Sequence, residues 1–146
     1  MKSILVSWQF WAVLSAVFAA LTAIFAKIGV ENVNPDFATF IRTIVVLAAL
    51  SLILTASGGW QSFDTVSNRS AVFLALSGLA TGASWICYFR ALSYGDAGSV
   101  APIDKLSVVL VTVFGAWFLG EQPSLLNWSG VFLIAVGAIL VAWRSI

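Results

Sequence analysis

Residues 98–121, GSVAPIDKLSVVLVTVFGAWFLGE, decide how the chain is read. The stretch reads as a hydrophobic helix with an acid and a base, Asp104 and Lys105, written side by side within it. At 1.5 Å per residue the run 99–119 is roughly 30 Å long, the hydrocarbon thickness of a bilayer. Both charges then lie roughly 7–9 Å inside its start. Ionisable groups at that depth cost on the order of 2–3 kcal/mol each, so each is expected to face a partner or a wet cavity.

The rest of the chain is of the same kind. Of its 146 residues 61% are hydrophobic and 9% charged, and the mean hydropathy is +1.04. A soluble domain carries about 25% charged residues, so this composition cannot coat a water-facing surface. The expected fold class is all-α: a polytopic membrane protein with a five-helix transmembrane bundle. A net charge of +1 without a basic run gives no reason to expect nucleic acid. With one cysteine, Cys87, and no histidine, a disulfide framework, a His-based metal site and a His-containing triad are excluded. No cofactor is implied.

Five segments meet the spanning criterion, 7–27, 37–56, 70–93, 99–119 and 125–143, and together they make one domain over 1–146. The breaks carry turn residues: Glu31-Asn32-Val33-Asn34-Pro35, Ser57-Gly58-Gly59, Tyr94-Gly95-Asp96 and Gly120-Glu121-Gln122-Pro123. Met1-Lys2 before an apolar run imitates a secretory signal. The run 4–26 exceeds the ~7–15 residues of such a region, so the first span is expected to stay. Trp60, in the one long loop, is expected to anchor at an interface.

Several faces stand out. Ala12, Ala16, Ala20, Ala23 and Lys27 form a small face on the first span. Lys27 either snorkels to the headgroups or stands at the mouth of a cavity. Arg42 lies about 9 Å inside the second span, deeper than snorkelling readily explains. In the third span Ser77, Thr81, Ser84 and Tyr88 share a stripe, beside a Gly78–Gly82 GxxxG face. That stripe serves either packing or a pathway. Trp85 is central in the same span, where a belt tryptophan would not sit, and Arg90 lies near its end. On the fourth span Asp104 continues through Ser107, Val111, Thr112 and Gly115. Neighbours in a helix point about 100° apart, so Asp104 and Lys105 are each expected to meet a different helix. The fifth span is nearly all apolar, with Gly130 and Gly137 a heptad apart, and reads as a packing or dimerisation helix.

Alternating spans gather Lys27, Arg42, Arg90, Asp104 and Lys105 on one side, with Lys2, Asp64, Arg69 and Glu121 on the other. Unpaired bases in a medium of low dielectric need partners: loop carboxylates, water, lipid phosphate or an anionic solute. A polar vestibule follows, with Arg42 the leading donor for a carboxylate or phosphate because its planar fork fits them. Asp104 is either a proton- or cation-responsive group or one half of a fixed salt bridge to Arg42 or Arg90. The bases near the span ends orient the chain only weakly. Five spans are few to enclose a path, which transporters commonly solve with inverted repeats. A single weakly oriented repeat could do the same by inserting both ways and pairing antiparallel.

Ala23-Ile24-Phe25-Ala26-Lys27, Pro35 with Arg42, the run Tyr88–Ala97 (YFRALSYGDA), Phe118-Leu119-Gly120-Glu121, and Gly130 with Gly137 form an ordered set across the whole chain. In this the sequence resembles the EamA-like repeat of the drug/metabolite transporter superfamily. The resemblance implies a half-transporter, since members usually hold two inverted repeats and move metabolites or amino acids. With the charge pattern above, the expected substrate is small and polar, anionic or zwitterionic and amino-acid-like, and the expected partner is an antiparallel second copy, a homodimer in the bilayer. We expect that bilayer to be the cytoplasmic membrane of a prokaryote. Ser107-Val108 stand where the family's fourth span often has proline, so no kink is carried over to this span. Gly120-Glu121 reads as structural, a helix end with Pro123 opening the next segment. The residues expected at a substrate or ion site are Lys27, Arg42, Ser84, Trp85, Tyr88, Arg90, Asp104 and Lys105. The other class of reading is a non-transporting membrane subunit packed into a larger transport or lipid-modifying complex. No nucleophile–base pair, carboxylate dyad or phosphate loop suggests an enzyme.

Overall fold

The computed structural model describes residues 7–143, and all regular structure among them is helical. Lys2, which entered the charge balance, lies outside the described residues. The helices are α1 (Trp8–Gly29), α2 (Pro35–Ser57), α3 (Asn68–Tyr94), α4 (Ala97–Asp104), α5 (Ser107–Phe118) and α6 (Leu125–Ala142). Taken with α4 and α5 as one stretch, five segments among the described residues are long and apolar enough to cross a membrane. Their ends fall within a few residues of the expected ones. The protein is an integral membrane protein.

Local chemistry sets the helix boundaries. Asn34 opens α2, its Oδ1 accepting from the amides of Asp36 (2.9 Å) and Phe37 (3.2 Å), while Pro35 occupies the first helical position. The same helix closes on Gly58, whose φ of +64° favours glycine. Ser67 Oγ accepts from the Ser70 amide at the start of α3, and Ser124 Oγ does so from Asn127 at the start of α6. Between α2 and α3, Trp60 donates to Thr55 Oγ1 and stays exposed.

The fourth span corrects the expected single helix. Pro102 lies inside it, and the turn Lys105-Leu106 divides it into α4 and α5. Proline has no N–H to donate to the carbonyl four residues back, and its ring crowds that carbonyl. Past it, the amides of Leu106, Val108 and Val109 bond carbonyls only three residues back, at 3.0 Å each. This tighter winding persists until Leu110 bonds to Leu106. The expectation that the span lacked a helix-distorting proline therefore fails: Pro102 supplies one, five residues before Ser107.

The helices group into two units, α1 with α4–α6, and α2 with α3. In the first, α6 packs along α4 and α5. Of the alanine face on α1 only Ala23 is buried, together with Ala26 one turn on; Ala12, Ala16 and Ala20 are exposed. In the second unit Phe89 and Leu92 of α3 and Thr39 of α2 are buried. Trp85, Phe89 and Leu92 follow at i, i+4 and i+7, which places them on one face of α3.

Candidate functional site

Within the α2–α3 unit, Arg42 and Trp85 form the centre of the site. The Arg42 guanidinium lies 4.1 Å from the centroid of the Trp85 ring and 5.5 Å from that of Phe89. Arg42 is seven residues into α2, about 10 Å along its axis. Trp85 is the exception among the seven tryptophans. Trp8, Trp11, Trp60, Trp117, Trp128 and Trp143 all sit at helix ends or in a loop, as belt residues do. Trp85 lies well inside its span and is half-buried, and Arg42 and, one turn on from Trp85, Tyr88 are half-buried too.

The rings hold Arg42 by its π-faces and leave its edge unused. Among the described residues the guanidinium has no hydrogen-bond acceptor and no carboxylate partner. Cation–π contact is worth about 0.5–2 kcal/mol, against about 2.5–3.5 kcal/mol for placing an arginine at mid-helix in a membrane. The aromatic faces thus meet part of the cost, and five N–H donors remain for an anion. Phe89 was not among the residues the sequence singled out. Its place four residues after Trp85 was the available signal.

Arg90 is arranged differently. Its Nε and Nη2 donate to Oδ1 and Oδ2 of Asp36 at 2.9 and 2.6 Å, a two-pronged pair. The pair joins α3, four residues before its end, to the first turn of α2, where the Asp36 charge also suits the helix dipole. Arg90 was expected at the substrate or ion site, and here its fork is engaged by Asp36, a partner drawn from the loop-side carboxylates. Ser84 is exposed on α3, and the Thr81 hydroxyl of the same stripe donates to the Ser77 carbonyl.

Three expected residues belong to the other unit. Lys27 Nζ donates to the Gly95 carbonyl at 2.9 Å, tying the end of α1 to the turn before α4. Asp104 and Lys105 pair with each other, Nζ to Oδ2 at 3.3 Å, and so correct the expectation that each meets a different helix. The reason is the end of α4 at Asp104, since the 100° rule holds within a continuous helix and the long lysine stem can fold back at a break.

Gly120 and Glu121 terminate α5. Gly120 has a φ of +69°, and the Glu121 amide donates to the Gly115 carbonyl at 3.1 Å. An open cleft of about 320 Å³ adjoins them, lined by Val111 and Thr112 of α5, Glu121 and Gln122, and Asn127 and Val131 of α6. Among the described residues no three His, Cys, Asp or Glu side chains converge as a metal site.

The profile of the EamA-like transporter family matches residues 6–143. A Sinorhizobium protein named uncharacterized transporter in the cobO 3′ region is 61% identical over 93% of this chain and 96% of its own length. The Bacillus subtilis protein named uncharacterized transporter YxxF is 28% identical over 92% of this chain but only 42% of its own length. A Hamiltonella defensa protein is named as a probable 4-amino-4-deoxy-L-arabinose-phosphoundecaprenol flippase subunit, ArnE. It is 23% identical over 59% of this chain and 76% of its own. No solved structure matches.

Proposed function

The chain belongs to the EamA-like transporter family, and from there we propose that it is a half-size secondary transporter of a small polar metabolite, whose carboxylate or phosphate is seated at Arg42. The single observation that carries this reading is a guanidinium well inside its span, held on two aromatic faces with its donor edge unoccupied. A planar fork of that kind fits a two-oxygen anion.

Two copies inserted in opposite directions would supply the second half and alternate access to the site. The 42% share of the Bacillus subtilis relative is in keeping with one repeat of two. Beyond the helix's own adjoining backbone, no atom of the described residues lies within 4 Å of where a Cβ would stand on Gly78, Gly82, Gly130 or Gly137, which leaves those faces open to a close helix neighbour. The bacterial relatives support a prokaryotic cytoplasmic membrane.

The test is uptake into proteoliposomes holding the purified protein, with a panel of small carboxylates and phosphate monoesters. Saturable uptake that Arg42→Gln removes, in protein that still folds, is the expected result; equal uptake by the variant refutes the anion seat. Orientation is tested separately by labelling a C-terminal tag from each side of the membrane. Both sides should react in one population, and a single location in every molecule rules out the antiparallel pair.

A second reading, a non-transporting subunit of a larger assembly, draws on the relative named as a flippase subunit. Solute movement by the purified chain alone decides against it.

A further inference from the structure

The cleft between α5 and α6 belongs to neither the aromatic seat of Arg42 nor the Asp104–Lys105 turn. We propose that it binds a primary ammonium group, with the Glu121 carboxylate as its counter-charge.

The position of Glu121 is fixed from two sides. Its amide is bonded to the Gly115 carbonyl, and the left-handed Gly120 turns the chain so that its carboxylate lies back over Gly115. A Cβ on Gly115 would stand only 2.6 Å from Glu121 Oε2, so the oxygen occupies the space that any side chain there would take. Among the described residues this carboxylate has no ion pair and no hydrogen-bond donor.

The surrounding polar groups offer mainly acceptors, and their donors are partly used. Thr112 Oγ1 gives its proton to the Val108 carbonyl at 3.0 Å, leaving its lone pairs toward a ligand. The Asn127 side-chain oxygen already accepts from Ser124 Oγ at 3.0 Å and has one further site. The Gln122 amide can present its oxygen. With the carboxylate, these acceptors suit a ligand that has several donors and a positive charge, such as an ammonium with three N–H groups. An anion would be repelled by Glu121. A divalent metal ion of the hard class takes six or more oxygens, typically with more than one carboxylate. Val111 and Val131 offer apolar walls for a short alkyl stem, and about 320 Å³ lies within the size of small-molecule sites.

The ammonium could belong to a soluble amine or to an ethanolamine lipid headgroup. The experiment is calorimetric titration of the purified full chain with n-propylammonium chloride at pH 7. It is done in nanodiscs of phosphatidylcholine and again with phosphatidylethanolamine included, using n-propanol and sodium chloride as controls. We expect saturable binding of propylammonium that propanol does not reproduce. Glu121→Gln should weaken it at least about tenfold, the scale of a charge-assisted bond. Gly115→Ala, which displaces the carboxylate, should weaken it too. Asp64→Asn, which removes an exposed acid elsewhere, should leave it within twofold. Equal affinity in both discs assigns the site to soluble amines, and competition by the ethanolamine lipid assigns it to the headgroup; both outcomes uphold it. Unsaturable titration, equal binding of propanol, or unchanged affinity in Glu121→Gln overturns it.

Discussion

Arg42 and Arg90 belong to the same pair of helices and carry the same guanidinium, yet one meets two rings and the other a carboxylate. Arg90 lies four residues from the end of α3, within reach of Asp36 in the first turn of α2. The pair is half-exposed, so solvent and salt screen it and it adds little to stability. Arg42 is a further turn and a half into α2, and the side chains facing it there are Trp85 and Phe89. Rings steady a cation without consuming its hydrogen bonds; a carboxylate steadies it by consuming them. Two identical side chains on one helix pair are thereby held differently, one closed by a carboxylate and the other left open as the receptor we propose.

The largest effect is expected where the receptor itself is removed. Arg42→Gln should lower saturable uptake of an anionic solute about 100-fold or more, since two charge-assisted bonds are lost together. Trp85→Leu should lower it about tenfold, because the guanidinium keeps its charge but loses the face that positions it. Asp36→Asn should change uptake less than twofold and lower the melting temperature only slightly, as an exposed pair does. The reverse order, with Asp36→Asn costing more uptake than Trp85→Leu, would make Arg90 the receptor and Arg42 the fixture.

The legibility of these features differs for physical reasons. Span positions follow from hydropathy summed over neighbouring residues, so 37–56 could be placed close to Pro35–Ser57 without any partner in view. Arg42 and Trp85 each stood out as misplaced for their residue type, which is a local observation; that they touch is not. Asp36 and Arg90 are separated by 54 positions, and the sequence offered Asp36 only as one of several loop carboxylates. The division of the fourth span was a different kind of miss, since Pro102 is plainly present and its effect is local. The break falls at Lys105-Leu106, just past Pro102, five residues before the Ser107-Val108 position where the resemblance places a proline. Glu121 was legible as a helix terminus, through Gly120 and Pro123, but its cleft depends on α6 returning alongside α5.

The sequence alone determined that this chain carries five segments long and apolar enough to cross a membrane, which family it resembles, and which few side chains are too costly to be incidental in a bilayer. Those properties are sums or outliers along the chain, and transfer free energy makes them local. Only the tertiary structure decided which cation is paired, which is cradled by rings, and that Asp104 turns to its own neighbour. Pairing depends on distance between atoms, and where one helix passes another is settled by how their faces pack.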